Sequence, residues 1–229
     1  MNELRPIQII LLGFFITIFA GSILLTLPIA AKSGQATSYI DALFTATTSV
    51  CVTGLVVETT MTHWSLFGQV VITTGMFYVL GRRITLGNRM LIQESLGLNT
   101  LTGLVPLVKK IILGTAIVEG AGAVLYATQF IPEFGVGYGI WAAVFNSISA
   151  FCNAGMDIVK EDSFRSYVTN PVINFTTMAL IVLGGLGFIV WWDLWDKFRK
   201  IIKKELSPGR FFRVLRLQSK LVLTMTGIL

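Results

Sequence analysis

The sequence is short of the side chains on which most enzyme and metal sites are built. It has one histidine, His63, and two cysteines, Cys51 and Cys152, in 229 residues. It has no CxxC, HExxH or clustered Cys/His spacing and no GxxxxGK(S/T) phosphate loop, which excludes the common structural metal and nucleotide sites. His63 precedes Trp64 beside an apolar stretch, so a histidine at a membrane interface is favoured over a member of a catalytic triad. We therefore expect no enzymatic activity and no organic cofactor.

Charged residues are also scarce. They make up 13% of the chain, against about 25% in a soluble domain, while 54% of the chain is hydrophobic and the mean hydropathy is +0.75. Residues 7–31, 111–131 and 172–192 are apolar runs of the length of a bilayer-spanning helix, which needs about 20 residues. The sequence thus predicts an all-α integral membrane protein embedded in a lipid bilayer. It excludes a soluble enzyme, a disulfide-stapled secreted domain and a disordered chain.

The first apolar run has two interpretations. Arg5 precedes it and Ala30 and Ala31 follow it, as in a secretory signal peptide. Its apolar part is longer than the ~7–15 residues usual in such a peptide. A retained membrane helix is therefore favoured.

The positive charges predict an orientation. Most of the 18 lysines and arginines lie in two segments, residues 81–110 and 193–220. Because cytoplasmic loops are enriched in Lys and Arg, the N-terminus and both segments are expected in the cytoplasm of a multi-pass plasma-membrane protein. The net charge of +6 therefore calls for no nucleic-acid partner.

The chain contains an internal repeat at an offset of 101 positions, which pairs Cys51 with Cys152 and Gly54 with Gly155. Each unit consists of a spanning helix, a short helix, a glycine-containing extended segment and a second spanning helix. Internal repeats are common in transport proteins. The predicted organisation is a first unit, a cytoplasmic connection, a second unit, a basic cytoplasmic loop and the start of a third unit, at residues 1–80, 81–110, 111–192, 193–220 and 221–229.

The short helices, predicted over residues 38–49 and 140–150, each lead into a glycine-containing segment. We name these segments the first glycine loop (Cys51, Val52, Thr53, Gly54) and the second glycine loop (Cys152, Asn153, Ala154, Gly155). Non-helical backbone at membrane depth is tolerated only where it is buried in protein or lines water, and its carbonyls can replace the hydration shell of an ion. The negative C-terminal ends of the short helices would favour a cation. Two interpretations stay open: re-entrant pore loops, which the repetition favours, and hairpins with ordinary turn glycines.

Both glycine loops belong to longer motifs, TATTSVCVTGL at residues 45–55 and SAFCNAG at residues 149–155. Further motifs are RRI at residues 82–84, QE at residues 93–94, GGLGF at residues 184–188 and the intramembrane Glu119. Together they resemble the Trk/Ktr/HKT superfamily of potassium transporters, with the loops matching its first and second filter loops. The likeness runs from about Gln8 to the C-terminus.

The resemblance implies potassium uptake across the plasma membrane, with potassium as the transported ion. The filter would be lined by backbone carbonyls of the two glycine loops. A glycine in both loops is similar to the potassium-preferring members of the superfamily, whereas serine in the first loop goes with sodium preference. The resemblance also implies a homodimer and a cytoplasmic nucleotide-binding regulatory subunit that docks on the basic inner face.

The chain departs from the superfamily in two ways. The superfamily builds one pore from four units, whereas two units and the start of a third are present here. Residues 66–80 make only about 22 Å of helix, against a hydrocarbon core of about 30 Å, so we expect the second helix of the first unit to be shortened. The alternatives are therefore a sodium-conducting or unselective cation transporter, and a non-conducting fragment of such a transporter.

Several side chains have two interpretations. Glu119 is either a cation-pathway group or, the favoured option, a carboxyl that contacts a neighbouring helix. Asn153 either braces the second glycine loop or is a polar residue at a wet surface. Cys51 and Cys152 are expected to be small wall residues of the filter rather than a disulfide. An aromatic belt at the cytoplasmic interface is predicted at Trp191, Trp192 and Trp195.

Overall fold

The computed structural model of the protein describes residues 6–77, 104–203 and 211–228. Within these residues the fold is helical, and the only paired extended backbone is an isolated bridge between Ala31 and Trp64. The all-α prediction is thus confirmed. In chain order the helices are α1 (Pro6–Thr26), α2 (Tyr39–Cys51), α3 (Thr60–His63), α4 (Leu66–Phe77), α5 (Leu104–Phe134), α6 (Val136–Cys152), α7 (Pro171–Leu186), α8 (Phe188–Ile202), α9 (Phe211–Val214) and α10 (Leu217–Ile228), with 3-10 turns at Pro28–Ala30 and Ser163–Tyr167.

The same close helix crossing occurs in both halves of the chain. α1 packs against α2, and α5 packs against α6 and α7. A Cβ built on Gly21 of α1 would lie 3.4 Å from the Cβ of Ala46 in α2, and one on Gly122 of α5 would lie 2.6 Å from Oγ of Ser147 in α6. Both glycines and both partners are 101 positions apart. Small residues let the two helix backbones approach at the same place in each unit.

The two units are joined between α4 and α6. Trp141 Nε1 donates a hydrogen bond to Gln69 Oε1 at 2.7 Å, and Gln69 Nε2 donates to the Trp64 carbonyl at 3.1 Å. Gln69 is 2% exposed, and a buried amide is stable only when its polar atoms have partners. This side chain therefore fixes the distance between the first and the second unit.

The segment that follows the second glycine loop is held against the end of α5. Lys160 Nζ lies 2.8 Å from Glu133 Oε1, and the Tyr167 hydroxyl donates to Glu133 Oε2 at 2.5 Å. The Tyr138 hydroxyl donates to the Ile158 carbonyl at 2.6 Å. These bonds keep the chain on the far side of the loop in a single position.

One described helix is long and apolar enough by itself to cross a membrane, Ile111–Phe134 with 24 residues. A bent pair, Pro171–Leu186 followed by Val190–Ile202, adds a second if it is counted as one span. Leu11–Thr26, Leu66–Phe77 and Val136–Cys152 are apolar but shorter.

The apolar run at residues 172–192 is divided between two helices. α7 ends at Leu186, Gly187 has a φ of +79°, and the two arms meet at 100°. Glycine adopts this left-handed conformation without the steric cost of a side chain. Trp191 Nε1 donates to the Leu183 carbonyl at 2.9 Å, which satisfies an acceptor near the end of the helix. The length of an apolar run carries no information about such a change of direction.

The remaining boundaries differ in detail from the prediction. Residues 81–103 of the predicted connection lie outside the described residues, and α5 begins at Leu104, within that connection. The predicted basic loop contains most of α8, all of α9 and the start of α10. Asp193 Oδ2 accepts a hydrogen bond from the Arg216 N–H at 2.8 Å. The predicted apolar helix at residues 221–229 begins earlier, at Leu217.

Candidate ion pathway at the two glycine loops

The first glycine loop begins with a left-handed turn at the end of α2. The helix ends at Cys51, and Val52 has φ 49° and ψ 48°. The Thr53 N–H donates to the Thr48 carbonyl at 3.2 Å, and Gly54 follows with a φ of +74°. A β-branched valine rarely adopts this conformation, so the surrounding structure must hold it there.

The second glycine loop repeats this geometry 101 positions later. α6 ends at Cys152, and Asn153 has φ 58° and ψ 35°. The Ala154 N–H donates to the Ser149 carbonyl at 2.8 Å, and Gly155 has a φ of +70°. The sequence repeat is therefore also a repeat of backbone conformation.

A hydroxyl in the last turn of each short helix reaches across its glycine loop. The Leu55 N–H donates to Thr48 Oγ1 at 3.1 Å, and the Met156 N–H donates to Ser149 Oγ at 3.1 Å. Ser149 Oγ also donates to the Met156 carbonyl at 2.5 Å. Sequence analysis missed these residues, although the 101-position offset pairs Thr48 with Ser149 and both carry a hydroxyl.

The two glycine loops meet at their glycines. A Cβ built on Gly54 would lie 2.7 Å from the Ala154 carbonyl oxygen and 3.5 Å from the Gly155 Cα. A Cβ built on Gly155 would lie 3.7 Å from the Gly54 Cα. The Ala154 carbonyl therefore lies against Gly54, and a side chain at position 54 would collide with it.

The electrostatics at the loops suit a cation. α2 and α6 both end at a loop, and neither helix has a basic residue in its last turn. The C-terminal end of a helix carries a partial negative charge of about half a unit. Each loop therefore begins at the partly negative end of a helix.

The two cysteines are in different surroundings. Cys51 is exposed, whereas Cys152 is buried. Cys152 Sγ lies 3.9 Å from the Met76 carbonyl oxygen in the contact between the units. The structure thus contains no disulfide between these two residues.

The other loop side chains are partly open to solvent. Thr53 and Asn153 are exposed, whereas Ala154 is 1% exposed. Asn153 Nδ2 lies 3.5 Å from the carbonyl oxygens of Phe151 and Ile181, at the limit of a hydrogen bond. The exposed amide and its long contacts fit a weak brace on the loop.

Glu119 contacts the short helix of its unit through its main chain. Its carbonyl oxygen accepts a hydrogen bond from Ser147 Oγ at 2.7 Å. The side chain is 7% exposed, and Oε1 has no hydrogen-bond partner among the described residues. No described contact joins the carboxyl to either glycine loop, so its part in an ion pathway stays a prediction.

His63 has structural partners. Its Nε2 lies 3.0 Å from Thr37 Oγ1 and its Nδ1 lies 3.4 Å from Glu58 Oε2. Thr37 is 7% exposed, so its hydroxyl is poorly placed to attack a substrate. The arrangement connects the chain before α2 to the chain after the first glycine loop.

A cavity of about 200 Å³ borders the second glycine loop. Most of its lining surface is apolar, and its polar lining residues are Asn146, Ser149, Asn153, Asp157, Ser163 and Thr177. Burial raises the pKa of the Asp157 carboxyl above its ordinary value, although a hydrogen bond from Ser163 Oγ acts in the opposite direction. Because the folded protein favours the protonated carboxyl, the contribution of Asp157 to stability falls as the pH rises from the ordinary pKa through the raised one.

Removing the Ser149 hydroxyl should destabilise the second glycine loop. Ser149→Ala leaves the N–H and carbonyl of the buried Met156 without this partner, so we expect the free energy of unfolding to fall by about 1–3 kcal/mol. Denaturant unfolding of the purified protein measures the change.

The control for this prediction is Ser166→Ala, which removes an exposed hydroxyl bonded to Asp162 and should change the stability by less than about 0.5 kcal/mol. Ser149→Thr keeps a hydroxyl and should restore most of the loss. Equal stability of Ser149→Ala and the unaltered protein would contradict a structural role for the bond.

Comparison with known proteins identifies related transporters. Residues 8–228 match the family model TrkH, described as cation transport protein. The chain is 39% identical to the potassium/sodium uptake protein NtpJ of Enterococcus hirae over 242 residues, 100% of the chain and 51% of NtpJ. It is 36% identical to the Ktr system potassium uptake protein B of Bacillus subtilis, over 98% of the chain and 50% of that protein, and to its Vibrio alginolyticus counterpart, over 97% and 49%.

The chain spans about half the length of these curated relatives. The match with NtpJ runs over 242 residues, more than the 229 of the chain, so NtpJ has additional residues within the matched region. The family model matches nearly the whole chain, and these relatives are more than 30% identical to it. Both comparisons indicate a family of cation transport proteins. The chain belongs to the TrkH family of cation transport proteins.

Proposed function

We propose that the protein takes part in potassium uptake across the plasma membrane, along a pathway lined by backbone carbonyls of the two glycine loops. The observation that carries the proposal is the meeting of Gly54 with Ala154 and Gly155, in two loops of the same left-handed geometry. Each loop begins at the partly negative end of a short helix. Carbonyl oxygens of non-helical backbone can replace the water of a dehydrating cation.

The ion would shed its water at the loops and move inward down the membrane potential. Each loop is supported from behind, by Thr48 in one unit and Ser149 in the other. Such support keeps the carbonyls at a spacing set by the protein rather than by the ion. The relatives named for potassium uptake, and the glycine in both loops, favour potassium as the cargo.

The membrane arrangement is part of the proposal. The basic segments would face the cytoplasm together with the N-terminus, and the chain would cross the membrane several times. The partners would be a second copy of the protein and a cytoplasmic nucleotide-binding subunit on the basic face. Two relatives are named Ktr system potassium uptake protein B. A lettered protein of a named system supports an assembly of several components.

A second candidate is a sodium-conducting or unselective transporter. The name of NtpJ, a potassium/sodium uptake protein, is the observation that favours it. A third candidate is a fragment that does not conduct alone, because the relatives are about twice as long as the chain.

The experiment that separates these candidates measures ion flux in liposomes that contain the purified chain. Uptake of rubidium, a tracer for potassium, in excess over sodium supports selective potassium transport. Equal fluxes of the two ions support the unselective alternative. If neither ion crosses, the chain does not transport by itself, and the same assay on a version extended to the length of the relatives decides whether the pathway needs further units.

A further inference from the structure

We propose that the wedge between α5 and α8 is a binding site for an anionic membrane phospholipid. The wedge exists because α8 leaves α7 at 100° and does not continue along α5. It encloses a cavity of about 610 Å³, within the range of ordinary small-molecule sites. The lining side chains are all apolar, with Ile117 of α5, Leu183 of α7, Trp195 of α8 and Phe211 of α9 among them.

α8 has the pattern of a helix that lies in a membrane surface. Trp195, Phe198 and Ile202 follow one another at helical spacing and are 62%, 53% and 67% exposed. Asp196, Lys197 and Lys200 lie on the other side of the helix and pair with one another, each Nζ 3.2 Å from the carboxylate. An amphipathic helix of this kind buries its apolar side at the boundary between headgroups and acyl chains.

Three exposed basic residues, here called the rim cations, lie close in sequence to lining residues of the wedge. Lys109, Arg199 and Arg213 are exposed and come from α5, α8 and α9. Each lies within two residues of a lining residue, and none of them forms an ion pair with another described residue. Basic residues at this level attract anionic headgroups. This is the charge complementarity that selects an anionic lipid over a neutral one.

One lining tryptophan has an indole N–H that is not satisfied within the described part of the chain. Trp192 lines the cavity, and its Nε1 is buried with no hydrogen-bond partner among the described residues. The neighbouring Trp191 donates its own Nε1 to Leu183. A buried indole N–H without a partner is costly. An apolar protein helix in the same wedge would leave the rim cations without partners.

The test measures lipid binding to the purified chain by native mass spectrometry. Phosphatidylglycerol and phosphatidylcholine with identical acyl chains are the probes. We expect phosphatidylglycerol to bind more tightly, and Arg199→Gln and Arg213→Gln each to weaken it roughly fivefold. Arg165→Gln, an exposed cation in the 3-10 turn Ser163–Tyr167, is the charge control and should leave binding unchanged.

A second variant tests the cavity itself. A Cβ on Gly114 would meet only a ring atom of Trp191, at 4.0 Å, so Gly114→Leu fills the wedge without striking the backbone. A Cβ on Gly120 of the same helix has no atom within 4 Å, which makes Gly120→Leu the matched control. We expect Gly114→Leu to abolish lipid retention and Gly120→Leu to keep it.

Three results would overturn the proposal. They are equal affinity for the two lipids, full retention of phosphatidylglycerol by Gly114→Leu, and unchanged binding in both arginine variants. None of these measurements depends on ion transport. The lipid site can therefore be disproved while the proposed potassium pathway is supported, and the pathway can be disproved while the lipid site is supported.

Discussion

On the proposed potassium pathway, replacing Gly54 by serine should reduce the preference for potassium over sodium about tenfold or more. Gly54 has a φ of +74°, and a Cβ at this position would lie 2.7 Å from the Ala154 carbonyl oxygen. A side chain there costs about 1–3 kcal/mol in backbone strain alone, and the collision forces the two loops apart. Because a change of about 1.4 kcal/mol is tenfold in an equilibrium, a displaced carbonyl is enough to remove the discrimination. The ratio of rubidium to sodium uptake, in cells that depend on the protein for potassium, measures the effect.

Two matched substitutions make this prediction specific. Gly135→Ser places a side chain at a similar φ, +78°, where no atom lies within 4 Å, and should leave selectivity unchanged. Gly155→Ser has the Gly54 Cα at 3.7 Å as its nearest neighbour, so its effect should be smaller than that of Gly54→Ser. Normal selectivity in a well-expressed Gly54→Ser protein would contradict a filter at this position.

Gly184→Ala should destabilise the protein more than any other small substitution considered. A Cβ on Gly184 would lie 1.8 Å from the Phe151 carbonyl oxygen and 2.9 Å from its carbonyl carbon. α7 therefore touches the backbone of α6 in the last turn before the second glycine loop. Overpacking of this kind costs about 1–3 kcal/mol or more, and since the obstacle is backbone we expect the upper end. For a chain of this size, this lowers the midpoint of thermal unfolding by roughly 5–10 °C.

Gly185→Ala is the control for this substitution. It is the next residue of the same helix, and a Cβ there has no neighbour within 4 Å. Alanine also favours helix over glycine by about 1 kcal/mol, so Gly185→Ala should be neutral or stabilising. Similar midpoints for the two variants would show that α7 does not pack on α6 as described.

Local patterns in the sequence were enough to predict the helical class and the two loops. The apolar runs predicted α1 and α5, because the length and composition of a run decide whether a helix can be buried in apolar surroundings. The spacing of 101 residues predicted matching loops, and Val52 and Asn153 adopt the same left-handed conformation at that spacing. The motifs around the loops also led to the family, which the comparison with known proteins shows independently.

The contacts between the two glycine loops, and those that form the wedge, depend on tertiary structure. The bend at Gly187 could not be predicted, because glycine permits several directions and packing selects one. Gly54 and Ala154 are in contact although they are one hundred positions apart in the sequence. The wedge between α5 and α8 depends on the direction in which α8 leaves α7. Sequence by itself therefore determined the helical class and the two places where a short helix gives way to a glycine-containing segment. Only the tertiary structure decided which of them touch, because contact between distant segments depends on the direction of every turn between them.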